Sequence, residues 1–83
     1  MEKQQSLMPK IAEMLGVGIK EVFKVESPEG KIYDNDYMID TNALWERKKG
    51  NITWYVDYYT LRTLLNGTET LIRLPENERE YVK

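Results

Sequence analysis

The chain has 83 residues, a formal net charge of −2, 41% hydrophobic and 11% aromatic residues, and neither cysteine nor histidine. That length makes one small domain, residues 1–83, which buries only about 60–65% of its unfolded surface, and the apolar fraction is too high for a disordered chain. Without cysteine there is no disulfide framework, thiolate nucleophile or Cys-ligated metal, without histidine the commonest general base and metal ligand are missing, and the slight negative charge offers no global basic field to nucleic acid or an anionic membrane.

The first six residues are polar and are expected to fray. Ile11, Met14 and Leu15, with Leu7 or Met8 one turn earlier, predict an apolar stripe on a first helix. Pro9 falls in its first turn, where the missing amide costs nothing, and Gly16 is placed to end it. Residues 21–26 mix β-branched, aromatic and charged side chains as a strand does. Ser27-Pro28-Glu29-Gly30 predicts a turn, after which Lys31-Ile32-Tyr33 can pair back. Residues 37–40 predict a further strand and Thr41-Asn42-Ala43 a turn.

The clearest hairpin is Leu44-Trp45-Glu46-Arg47 and Ile52-Thr53-Trp54-Tyr55 about Lys48-Lys49-Gly50-Asn51. With Lys49-Gly50 at its centre, Trp45 lies opposite Trp54 and Glu46 opposite Thr53; a glycine bulge slips that pairing by one residue. Asp57 is a candidate N-cap for a second helix running to Leu65, with Leu61, Leu64 and Leu65 at the i, i+3, i+4 spacing of one face. Asn66-Gly67 supplies a left-handed helix end, residues 68–74 predict a strand, and Pro75 closes it. Residues 76–83 are a charged C-terminal tail, or a strand that needs a partner chain. The sum is an α+β domain: an antiparallel meander of about four or five strands with two short helices packed on one face.

Lys10 to Val17, ending in Met14-Leu15-Gly16-Val17, followed by Glu21-Val22-Phe23-Lys24-Val25 and then by Leu64-Leu65-Asn66-Gly67 and Leu71-Ile72-Arg73-Leu74-Pro75, frames an aromatic middle. That frame resembles small uncharacterised proteins of phages and prophages of Gram-positive bacteria. The resemblance covers the two ends, about half the chain. The family has no assigned activity, catalytic residue or cofactor, so the resemblance implies origin: a mobile-element accessory protein in the cytoplasm of a bacterial host cell. The N-terminus has no positively charged region before a long apolar run, so no signal peptide is expected, and no stretch reaches membrane-spanning length.

Three features invite a chemical reading. Asp34, Asp36 and Asp40 supply oxygens, but without the glycine and distal glutamate of a calcium loop they read as turn residues, so no metal is expected. Arg47, Lys48 and Lys49 at the hairpin tip, between Trp45 and Trp54, have the cations and rings of a single-strand nucleic-acid platform. The preferred reading of that tip is a charged turn with both tryptophans packed on the helices. Trp54, Tyr55, Tyr58 and Tyr59, with Tyr33 and Tyr37, are many rings for so short a chain, and at least two are candidates for a subunit or partner contact. No Ser or Thr has a histidine to activate it and no phosphate-binding loop is present, so neither catalysis nor a cofactor is expected. The expected function is a non-enzymatic protein-interaction module. It binds itself as a homo-oligomer, or a phage or host protein, through Trp45, Arg47, Lys48, Lys49, Trp54, Tyr58 and Tyr59. The alternative is a nucleic-acid-associated accessory protein that uses the basic–aromatic hairpin.

Overall fold

The computed structural model describes residues 6–83, so most of the segment expected to fray lies outside the described residues. Helix α1 (Met8–Leu15) is followed by strands β1 (Lys24–Glu26), β2 (Asp36–Ile39), β3 (Leu44–Arg47) and β4 (Tyr55–Val56), helix α2 (Tyr58–Leu65), strand β5 (Thr70–Ile72) and a short 3-10 helix η1 (Glu76–Glu78). All strand pairing is antiparallel, in a two-stranded ladder β1-β5 and a three-stranded ladder β2-β3-β4. Reciprocal backbone hydrogen bonds between Phe23 and Tyr37 (2.9 and 3.1 Å) join the two, so the strands follow one another as β5-β1-β2-β3-β4. The protein is a small α+β fold.

Local chemistry sets most element ends. Gly16 ends α1 in the left-handed region (φ +86°), its amide donating to Ala12 and Glu13. Asp57 caps α2: its carboxylate accepts from the Thr60 amide at 2.9 Å and the Thr60 hydroxyl at 2.6 Å. Gly67 (φ +81°) turns the chain from α2 toward β5. The 27–30 turn closes through the Gly30 amide on the Ser27 carbonyl (2.9 Å), and the next segment pairs back through the bridge Glu26↔Ile32.

Strand alternation builds the core. Phe23 and Val25 join Tyr37, Ile39 and Leu44 in one cluster with Met8 and Ala12 of α1 and Leu64 of α2. Both helices thus cover the sheet face that carries Tyr37, Ile39 and Leu44. The α1 stripe differs from its expectation in one place. Its inward row is Met8, Ile11, Ala12 and Leu15, while Met14 is 69% exposed. The small Ala12 side chain, 1% exposed, lets the helix backbone approach the sheet and takes the inward position.

The hairpin register also departs from expectation. The turn forms where predicted, with the Asn51 amide on the Lys48 carbonyl (2.9 Å) and Gly50 at φ +85°. The ladder, however, pairs Trp45 with Val56 and Glu46 with Tyr55, two residues beyond the expected partners, and residues 51–54 stay out of it. The register is set at the far end, where the Asp57 amide donates to Leu44 (2.9 Å) just as its carboxylate starts α2. A slip of two keeps every side chain on its original face.

The charged C-terminal segment finds its strand partner within its own chain. The Val22 amide donates to Glu80 (2.8 Å), the Val82 amide donates to Lys20 (2.8 Å), and Glu21 bridges Tyr81. Beneath this junction the Glu21 carboxylate, fully buried, accepts from Arg73 Nε (2.7 Å), Arg73 Nη2 (2.9 Å) and the Gly18 amide (2.9 Å). The Arg73 guanidinium chiefly holds this carboxyl below its ordinary range, against the opposing effect of burial. Among the described residues, no helix is long and apolar enough to cross a membrane.

Candidate functional site

The residues singled out in the sequence separate into two surfaces. Trp45 alternates with the core-facing Leu44, so it lies on the sheet face away from the helices, beside its cross-strand neighbours Met38 and Val56. Arg47 shares that face. It pairs with Asp36 across the strands (2.8 Å), and its guanidinium lies 4.5 Å from the centroid of the Trp54 ring. Neither tryptophan belongs to the helix-covered core, contrary to the expectation that both pack on the helices. The reason is parity: Leu44 takes the inward position, which sends Trp45 and the Arg47–Trp54 pair outward. The Trp45 indole N–H is buried without a hydrogen-bond partner among the described residues.

This face is polar at its rim and internally paired. Asp36 also accepts from Lys24 (2.9 Å). Burial pushes the Asp36 carboxyl upward, but Arg47 and Lys24 together outweigh it and hold the carboxyl below its ordinary value. Asp40 caps the 41–43 turn through the Asn42 (2.8 Å) and Ala43 (2.9 Å) amides. Two of the three aspartates considered as cation ligands are therefore committed to the fold, and no group of three metal-ligating side chains occurs among the described residues. Of the basic tip, Arg47 is half-buried and paired with Asp36, whereas Lys48 and Lys49 are exposed.

The second surface is the outer side of α2 and the adjoining edge strand β4. Tyr58, Leu61, Arg62, Leu65 and Asn66 recur at i, i+3, i+4, i+7 and i+8 and line a shallow cavity of about 340 Å³. Tyr58 and Tyr59 are 75% and 63% exposed, Tyr55 is 59% exposed, and Ile52 is 90% exposed. Thus Tyr58 and Tyr59 stand where a partner can reach them, remote in character from the paired Trp–Arg face. Sequence reasoning did not single out Ile52 and Arg62, both exposed, and it placed Leu65, 48% exposed, on one helical face with Leu64, which is buried, and Leu61, which packs against the core. The signal was present: apolar residues at 58, 59, 61, 64 and 65 occupy more of the helix circumference than one buried stripe needs.

The interior carboxylates are occupied by the chain's own donors. Glu69, 6% exposed, accepts from the hydroxyls of Tyr33 (2.6 Å) and Thr63 (2.5 Å). That bond raises the Tyr33 phenol to about 12. Burial, and then the charge of Asp57, raises the Glu46 carboxyl. Comparison with protein-family models, with curated proteins and with solved structures finds no match to this chain.

Proposed function

We propose that this protein is a non-enzymatic protein-interaction module whose docking surface is the exposed face of α2 together with β4, acting in the bacterial cytoplasm as the kind of prophage accessory its terminal motifs resemble. The observation that supports this most directly is the exposure of Tyr55 on β4 and of Tyr58 and Tyr59 on α2, with Tyr58 lining the Leu61–Leu65 groove. Tyrosine brings large amphipathic contact area at low entropic cost, and water-facing rings grouped beside an apolar groove are the usual chemistry of a protein contact. Arg62 and Asn66 at the groove provide polar groups to orient a partner. The Trp45, Arg47 and Trp54 set serves the proposal as support for the hairpin. The nucleic-acid alternative rests on Lys48 and Lys49 alone, because Arg47 is paired with Asp36 and lies over the Trp54 ring.

The test is a paired measurement on the wild type and a Tyr58→Ser/Tyr59→Ser variant. Sedimentation and affinity capture with the purified protein should show self-association or a stoichiometric protein partner, lost in the variant. The variant should keep its melting temperature, since both rings are mostly solvated. A wild type that forms no complex, or a complex indifferent to both tyrosines, refutes the proposal. A salt-dependent shift of DNA abolished by Lys48→Glu/Lys49→Glu would favour the alternative instead.

A further inference from the structure

The edge of the three-stranded sheet is open where natural proteins usually close it. β4 is the terminal strand of its ladder, and the residues leading into it, Asn51-Ile52-Thr53-Trp54-Tyr55-Val56, carry no charge and no proline. In a chain that is 31% charged, six neutral residues with β-branched and aromatic side chains at an edge are a template for pairing. The Asp57 amide donates inward to Leu44, so by ladder alternation the amide and carbonyl groups of Trp54 and Val56 point away from β3, and those of Ile52 follow if the extended segment continues. No other backbone or side-chain group among the described residues reaches these outward groups.

We infer that the partner of this edge is a second copy of the chain, which adds its own residues 51–56 antiparallel to the first across a two-fold axis. This rests on the interaction-module reading and specifies its occupant. Two observations select a second copy. First, the segment is self-compatible: no like charges meet when it pairs with itself. Second, its flanks are complementary. Lys48 and Lys49 precede it and Asp57 follows it, so an antiparallel arrangement carries the basic end of each copy toward the acidic end of the other.

Centring the axis on Trp54 pairs residues 52–56 with those of the second copy and stops short of α2. Trp54 then meets its own copy, Ile52 meets Val56, and about six backbone hydrogen bonds form, two for each outward-facing pair. Ile52, Trp54 and Val56 align on the sheet face that carries Trp45, which extends that face across the axis.

The experiment joins sedimentation with amide hydrogen exchange on the full chain and on Ile52→Lys. Ile52 is 90% exposed, so the variant should fold with an unchanged melting temperature at dilution. The expected result is a dimer at tens of micromolar, roughly, with protection of the Ile52, Trp54 and Val56 amides that rises with concentration. Ile52→Lys should weaken it by about tenfold or more. A monomer at all concentrations overturns the inference, and the module reading then stands or falls on a Tyr58- and Tyr59-dependent heterologous partner. A dimer that leaves these three amides unprotected, or that tolerates Ile52→Lys, also overturns the strand pairing. If that dimer is lost on Tyr58→Ser/Tyr59→Ser, the module reading survives without it.

Discussion

Replacing Glu21 with glutamine tests what secures the C-terminal segment. The Glu21 side chain is fully buried and accepts three hydrogen bonds within 2.9 Å, two of them from Arg73, with Arg79 Nε at 3.8 Å. Glutamine keeps one acceptor oxygen but turns an NH₂ group toward the guanidinium, donor against donor. Each lost bond to a charged group is worth about 1.5–3 kcal/mol. The Arg73 side chain is 41% exposed, so it can turn toward water, and the net loss is smaller than for a sealed pair, about 2–3 kcal/mol. A domain of this length has roughly 4–12 kcal/mol in total. Glu21→Gln should therefore lower the melting temperature by about 10–20 °C. The difference should depend on pH with a definite sign. Arg73 chiefly lowers the Glu21 carboxyl from 4.5, so its contribution is complete above that value and is lost as pH falls through the lower folded value. Thermal unfolding followed by circular dichroism across neutral and acid pH checks both points. A shift under about 2 °C, or a difference that persists in strong acid, refutes the assignment of Glu21 as the clasp.

Two further outcomes follow from local geometry. Gly67→Ala should destabilise by about 1 kcal/mol through backbone strain alone, because φ is +81° and an added methyl meets nothing within 4 Å; Gly67→Asn should lose less, and equal melting temperatures for all three would contradict the left-handed helix end. The Tyr33 phenol donates to Glu69 and is raised from 10.0 to about 12, so the folded state holds that proton longer than the unfolded chain. Its contribution is complete below the unfolded value and declines as pH rises between the two; alkaline denaturation should be less steep in Tyr33→Phe, and identical profiles would count against the bond.

Much of the fold was legible because its signals are local. Gly16, Asp57 and Gly67 act on amides and carbonyls within four residues, or through their own backbone freedom, so a short window of sequence contains both the cause and the effect. The 27–30 turn is a similar case. The candidate site was legible in part. Tyrosine abundance pointed to a contact, and Tyr58 and Tyr59 are exposed, but the tryptophans and Arg47 are set by strand parity and by an ion pair to Asp36, eleven residues away.

By itself, then, the amino-acid sequence determined the class, two helices and antiparallel strands, and where most elements stop, because capping and turn chemistry are short-range. Only the tertiary structure decided which partner each side chain finds. Glu21 meets Arg73 across 52 positions and Tyr33 meets Glu69 across 36. Neither pair has a periodicity to announce it. The same holds for the hairpin, whose turn formed as expected while its register was drawn two residues along by Asp57 at the start of α2. That displacement leaves residues 51–54 outside the ladder beside β4, a result of tertiary register that no short window of sequence contains.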